Sequence, residues 1–314
     1  MTMAIEVKGL TKTFGTFTAV NQVDMRIPEN MVYGFLGPNG SGKTTAIRMM
    51  CGLLEPTAGE IEVLGMQIPA QTEAIRQQVG YMTQRFSMYG DLTVKQNLDF
   101  IGKIMGVTGK RLKIRKEEVI EQFNLRPFTS SLAGELSGGQ KRRLALAAAT
   151  IHKPRLLLLD EPTSEVDPNT RRDFWDQLFT MCEQGATILV TTHLMDEAER
   201  CHHLAIINDG IKVADGSPAA LKSALAAAIL EVKSPRPAQV KSHLHSLTPV
   251  ISTTQVGILL RVMVDPKLAS PLQWLSRELA SFVDTEIRMS NPSIEDVFVM
   301  ATTEMHQNPG HGNQ

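Results

Sequence analysis

Gly37-Pro38-Asn39-Gly40-Ser41-Gly42-Lys43-Thr44 satisfies the spacing G-x-x-x-x-G-K-[ST], and its flanks supply the context that this spacing needs. Met31-Val32-Tyr33-Gly34-Phe35-Leu36 reads as a short buried strand, and Thr45-Ala46-Ile47-Arg48-Met49-Met50 reads as a helix. Glycines let the backbone wrap phosphate oxygens, and the helix N-terminus turns its positive end toward them. Lys43 would reach the β- and γ-phosphates of a nucleotide, and the Thr44 hydroxyl would ligate Mg²⁺.

Further along, Leu136-Ser137-Gly138-Gly139-Gln140 opens a second helix with bare backbone N–H groups, a second cradle for phosphate. Arg155-Leu156-Leu157-Leu158-Leu159-Asp160-Glu161-Pro162 has the continuous apolar run of a central parallel strand buried on both faces. It delivers two carboxylates at the edge where ligands bind in such sheets. Asp160 would hold Mg²⁺ through its waters, and Glu161 is placed to polarise a water for attack on a γ-phosphate. Pro162 stops the strand.

In this order the motifs resemble those of an ATP-binding cassette (ABC) ATPase of a transporter. Gly37–Thr45, Leu136–Gln140 and Leu156–Glu161 are similar to its Walker A, signature and Walker B motifs, and the likeness covers residues 3 to 222. Gln84, closing Val79-Gly80-Tyr81-Met82-Thr83, resembles the Q-loop glutamine and a further Mg²⁺ contact. His193, after Thr187-Ile188-Leu189-Val190-Thr191-Thr192, resembles the switch histidine. Phe14 lies where the family stacks an aromatic ring on adenine, with Val20 in the same nucleotide site. The resemblance implies ATP and Mg²⁺ as cofactors, with Lys43, Gln84, Glu161 and His193 as the catalytic set. It also implies a head-to-tail dimer, in which Ser137, Gly138, Gly139 and Gln140 of one protomer cap ATP held by Gly37, Pro38, Asn39, Gly40, Ser41, Gly42, Lys43, Thr44 and Thr45 of another. The partner would be an identical chain or a homologous one. Asp167 belongs to the turn after Walker B, where Ser164-Glu165-Val166-Asp167-Pro168 departs from the usual Ser-Gly-Leu-Asp-Pro and puts a carboxylate near the shared sites.

A net charge of −1 gives no field that recruits nucleic acid. Lys141-Arg142-Arg143 reads as a solvated face of the signature helix. Three cysteines, Cys51, Cys182 and Cys201, share no metal or redox spacing and imply a reducing compartment. No segment approaches the ~18 consecutive apolar residues of a membrane span, and Glu6 and Lys8 stand where a signal peptide would be apolar. The expectation is a cytoplasmic chain, peripheral at the cytoplasmic face of the membrane, working with separate permease subunits. A soluble cassette protein acting on a non-membrane target is the alternative.

The predicted fold is α/β, a P-loop NTPase with a RecA-like core, an antiparallel β edge and a helical signature subdomain, followed by a small C-terminal α+β domain. Strands are expected at Ile5–Leu10, Val23–Ile27, Val32–Leu36, Glu60–Leu64 and Val79–Met82, then a helical stretch over about 86–150, then alternating strands and helices. The nucleotide-binding domain is set at 1–228 and the accessory domain at 229–303, with 304–314 as a tail without regular structure. In the accessory domain Val256–Val264 reads as one strand. Asn291-Pro292-Ser293-Ile294-Glu295-Asp296-Val297-Phe298 resembles the segment that closes export cassettes of the daunorubicin-resistance type, and also reads as a helix start with Ser293 as N-cap.

Overall fold

A computed structural model of the chain describes residues 2–164 and 166–307; Met1, Glu165 and 308–314 lie outside the described residues. Two compact units divide between Asp215 and Gly216. Along the first run β1 (Met3–Phe14), β2 (Phe17–Pro28), β3 (Val32–Leu36), α1 (Lys43–Met50), β4 (Ala58–Val63), β5 (Met66–Ile68), α2 (Thr72–Arg76) and β6 (Val79–Met82). Then come α3 (Val94–Ile104), α4 (Gly109–Gln122), α5 (Gly138–Thr150), β7 (Leu156–Asp160), α6 (Pro168–Glu183), β8 (Thr187–Thr192), α7 (Met195–Ala198), β9 (His203–Asn208) and β10 (Ile211–Gly216).

The main sheet has the order β10-β9-β3-β8-β7-β6, with β6, β7, β8, β3 and β9 parallel. Its central strands β3, β7 and β8 are buried at every position because alternate residues enter different cores. Leu157 and Leu159 of β7 join the cluster with α5 and α6, whereas Leu156 and Leu158 join the one with α1. A strand buried on both faces loses the polar–apolar alternation that would otherwise betray it. The antiparallel strands form a sheet of their own, β2-β1-β4-β5, whose Ile5, Val7 and Leu10 share the α1 core. β1 and β2 are longer than their sequence suggests; bulges along β1 break the apolar spacing.

Parallel register carries the chemistry-bearing strand ends to one edge. Leu36 pairs with Thr192, and Asp160 pairs with Thr191, so the turn after β3 and the ends of β7 and β8 meet there. Helices of the 86–150 stretch begin only at Val94, where Thr93 and Gln96 form a capping box. The loop before it is held by buried Asn97, whose Nδ2 donates to the carbonyls of Tyr89, Leu92 and Thr93 at 3.0, 3.1 and 3.1 Å.

In the second unit α8 (Pro218–Ala224), β11 (Ala228–Lys233), α9 (Pro237–His245), β12 (Val250–Val256), β13 (Leu259–Val264), α10 (Pro271–Glu278), β14 (Glu286–Met289) and α11 (Ile294–Gln307) build an antiparallel sheet, β12-β13-β11-β14, with its helices. Leu230, Val232, Val240, Leu244, Leu260, Val262 and Leu275 form its core. Three expectations shift. The division precedes residue 228 because α8 packs on α11, inside this unit. Val256–Val264 is the tip and second strand of a hairpin, since β12 carries the polar run Ser252-Thr253-Thr254-Gln255 that hides a strand from an apolar reading. α11 runs through Gln307, past the expected start of the tail at Glu304.

Candidate active site

The phosphate loop leaves β3 at Gly37, whose N–H donates to Thr192 O at 3.2 Å. Two glycines are required by contact rather than by flexibility alone. A Cβ on Gly37 would lie 2.3 Å from Ile207 O, and one on Gly42, which has φ of 100°, would lie 2.3 Å from Ala19 O. Val20 stands behind Gly42, buried, and does not face the cavity.

Lys43 opens α1 and is 4% exposed. Its Nζ donates to Gly37 O and Pro38 O at 2.8 Å each and lies 3.7 Å from Glu161 Oε1. Burial pulls its pKa below the ordinary lysine value, against the attraction of Glu161 and Asp160. Asp160 shows the converse: burial raises its pKa, while hydrogen bonds from Thr191 and Thr44 oppose the rise. Thr44 Oγ1 and Thr191 Oγ1 donate to its Oδ1 at 3.0 and 2.8 Å. Ser41 Oγ is buried within the loop with no hydrogen-bond partner. A desolvated ammonium, a desolvated carboxylate and an orphaned hydroxyl around one glycine cradle fit a polyphosphate with a divalent cation.

Glu161 is 6% exposed and adopts φ of 46°, a left-handed conformation that costs of order 1–3 kcal/mol for a non-glycine residue. Its surroundings hold it there. Its N–H donates to Thr191 Oγ1 at 2.9 Å, and Gln84 Nε2 donates to its Oε2 at 3.0 Å. His193 Nδ1 stands 3.4 Å from the same oxygen without an aligned hydrogen bond. Thus Lys43, Gln84 and His193 surround one carboxylate.

A cavity of about 330 Å³ lies between this cluster and the β1–β2 turn, lined by Phe14, Asn39, Gly40, Thr44, Thr45, Gln84 and Glu161 among others. Phe14 is 49% exposed, and Lys12 Nζ sits 5.3 Å from its ring centroid. Phe17, opposite Phe14 in the hairpin register and 62% exposed, also lines the cavity, a residue the sequence reading missed. Its signal was a second aromatic across the Gly15-Thr16 turn.

Ser137, Gly138, Gly139 and Gln140 do not line this cavity. Ser137 caps α5 in a box with Gln140, and Ser137 and Gly138 face outward. Asp167 is likewise exposed and caps α6, accepting from Asn169 N at 3.1 Å and Thr170 N at 3.0 Å. One expectation is corrected: Arg142 is 8% exposed, not solvated, because its guanidinium turns in to acceptors beneath the signature helix. Glu197, four residues after His193, also escaped notice. It is buried, accepts from Thr163 Oγ1 and from Thr192 Oγ1 (2.6 Å), and lies 3.5 Å from Arg171 Nε. That clamp joins the turn after β7 to the end of β8.

A family model described as "ABC transporter" matches residues 20–164. Over 93% of this chain and 99% of its own length, the Nod factor export ATP-binding protein I of Paraburkholderia xenovorans (strain LB400) is 34% identical. The chain belongs to the ABC transporter family. It is an ATP-binding ATPase cassette with an additional C-terminal unit. The probable multidrug ABC transporter ATP-binding protein YbhF of Escherichia coli (strain K12) is 47% identical over 70% of this chain, which spans only 38% of that protein's length. Among solved structures, a dimeric post-hydrolysis state of the ATP-binding cassette MJ0796 bound to ADP and Pi has a TM-score of 0.63 at 26% identity, covering 68% of this chain and 98% of that one. The ATP-binding subunit of another ABC transporter has a TM-score of 0.65 at 26% identity, over 70% of this chain and 92% of that one.

Proposed function

We propose that the chain is the ATP-hydrolysing subunit of an exporter, and that two copies, or this chain and a homologous one, close head to tail over two ATP molecules. One observation carries the reading: the cavity holding Lys43 and Glu161 is lined by the phosphate loop, Gln84 and the β1–β2 turn but not by the Ser137–Gly139 turn, a second anion cradle whose Ser137 and Gly138 are exposed. In the closed dimer the outward N–H groups of one protomer would cap the γ-phosphate bound by Lys43 of the other.

Within the site Lys43 neutralises phosphate charge, and Phe14, with Phe17 beside it, offers a face for adenine. Glu161 accepts the proton of the attacking water, Gln84 fixes that carboxylate, and His193 stands where it can hold the γ-phosphate. Mg²⁺ on Thr44, Gln84 and, through water, Asp160 would offset the negative charge of the phosphates. Loss of the γ-phosphate removes what both protomers grip, and the dimer opens.

Among the described residues no helix is long and apolar enough to cross a membrane, so the transport pathway is assigned to separate permease subunits, with this chain at the cytoplasmic face. The contact we assign is the strip after Gln84. Phe86 packs on the core, but Tyr89 is 50% exposed and meets Phe100 edge-on at 5.1 Å. Export as the direction follows the relatives' activities and the C-terminal segment.

Ser137→Arg tests the shared site. The variant should bind ATP as a single chain yet lose hydrolysis, and mixing it with Lys43→Ala should restore one complete site and part of the activity. Full turnover by Ser137→Arg alone sinks the dimer reading.

A further inference from the structure

Lys141, Arg142 and Arg143 follow the signature turn on α5, and each reaches a different part of the cassette. Lys141 Nζ lies 5.7 Å from the Phe86 ring centroid, and Arg143 Nη2 lies 3.5 Å from Asp173 Oδ2 on α6. Arg142 turns inward. Its Nη1 donates to Gln84 O at 2.6 Å, and its Nη2 donates to Ser164 Oγ at 3.3 Å.

Those acceptors are not arbitrary. Gln84 holds Glu161 through its side chain, and Ser164 Oγ donates to Glu161 O at 3.1 Å. Arg142 therefore grips the backbone of one site residue and the turn that follows another. Ser137 caps the same helix and leads directly into it, so the signature turn and Arg142 move as one rigid piece. A planar guanidinium presents fixed, divergent donors and spans two acceptors at once, whereas an ammonium on a flexible stem serves as a point donor.

We propose that Arg142 is a positioning residue that ties the Ser137–Gly139 turn to the nucleotide site of its own chain. When Gln84 and the Glu161–Ser164 turn settle around ATP, the signature turn offered to the partner protomer is set in the same movement. The inference rests on the shared-site reading, because only then does the orientation of an outward turn affect hydrolysis.

The test compares Arg142→Met and Arg142→Lys in the full chain, measuring ATP affinity of the single chain, kcat, and dimer accumulation with Mg-ATP in a Glu161→Gln background. Arg142→Met should lower kcat by about 10- to 100-fold, the scale of lost charge-assisted hydrogen bonds, and suppress the trapped dimer while single-chain affinity is unchanged. Arg142→Lys should fall between. A purely structural role would lower affinity and turnover together, and that result, or wild-type kcat in Arg142→Met, overturns the proposal. If Arg142→Met does not fold, Arg142→Lys decides: reduced kcat at unchanged affinity supports the coupling, and unreduced kcat ends it. Full activity of Ser137→Arg defeats the shared site and this inference with it, whereas an inactive Ser137→Arg beside a fully active Arg142→Met defeats the inference alone.

Discussion

Two clusters of charge, one at the Glu161 site and one at Asp296 in the second unit, treat their polar groups in opposite ways. At Glu161 capacity is left open: Ser41 Oγ and His193 Nδ1 have no hydrogen-bond partner, and burial disfavours the charged forms of both Lys43 and Asp160. Around Asp296 the capacity is closed. Arg261 Nε and Nη2 donate to this carboxylate at 2.6 to 3.1 Å, Ser293 N and Oγ donate at 2.7 and 2.8 Å, and Arg261 Nη1 reaches Glu231 and Ser290 at 3.1 Å each. Burial alone would raise the Asp296 pKa, but the Arg261 and Ser293 bonds outweigh it and hold it low. An open cluster awaits a ligand; a closed one holds a helix to its sheet.

The sharpest break of that contrast is Glu161→Gln. A carboxamide keeps a hydrogen bond with Gln84 but cannot take the water's proton, so turnover should fall by about 10²–10⁴-fold while ATP still binds. With Mg-ATP the variant should elute as a dimer in size-exclusion chromatography. Unimpaired turnover would remove Glu161 from the chemistry and leave its left-handed backbone without a function.

Much of the open cluster was legible in the sequence. Phosphate loop, Asp160-Glu161, Gln84 and His193 each follow an apolar strand, and parallel strands must bring such ends to one edge. What sequence could not supply was direction. Three consecutive cations read as surface, and only helix phase against the Gln84 carbonyl decides that Arg142 alone is deeply buried. Glu197 and Phe17 were missed because each acts across elements, through Thr163 and Thr192 in one case and hairpin register in the other. The β12–β13 hairpin was half hidden by its polar first strand. The unusual Glu165 lies outside the described residues.

Asp296→Asn probes the closed cluster. Losing charge-assisted hydrogen bonds on a buried group should cost the second unit about 1–3 kcal/mol, read as a lower melting transition with ATP affinity unchanged. The pH dependence has a definite sign. Because the folded-state pKa is depressed, the stabilisation is fully present above the ordinary carboxylate range and is lost as pH falls through the folded value. Wild-type chain should therefore lose melting temperature on acidification below that range, and Asp296→Asn should lose less. Equal acid sensitivity in both would show that Arg261 does not need the charge.

The smallest effect is expected from removing the closed cluster altogether. Lys43, Thr44, Gln84, Asp160, Glu161 and His193 all precede Asp215, and Asp215 itself is bound within the cassette, accepting from Tyr33 OH at 2.7 Å and Lys212 Nζ at 2.6 Å. A chain ending at Gly216 keeps β10 whole and retains the clusters built around α1 and α5. It should fold and bind ATP with unchanged affinity, as measured by titration calorimetry. Phe298→Asp in the full chain should likewise spare single-chain affinity, because Phe298 lies in the second unit, while shortening the lifetime of the trapped dimer if α11 serves coupling. If the truncated chain aggregates or loses ATP, the open cluster depends on the second unit, and the separation of ligand site from structural network fails at its foundation.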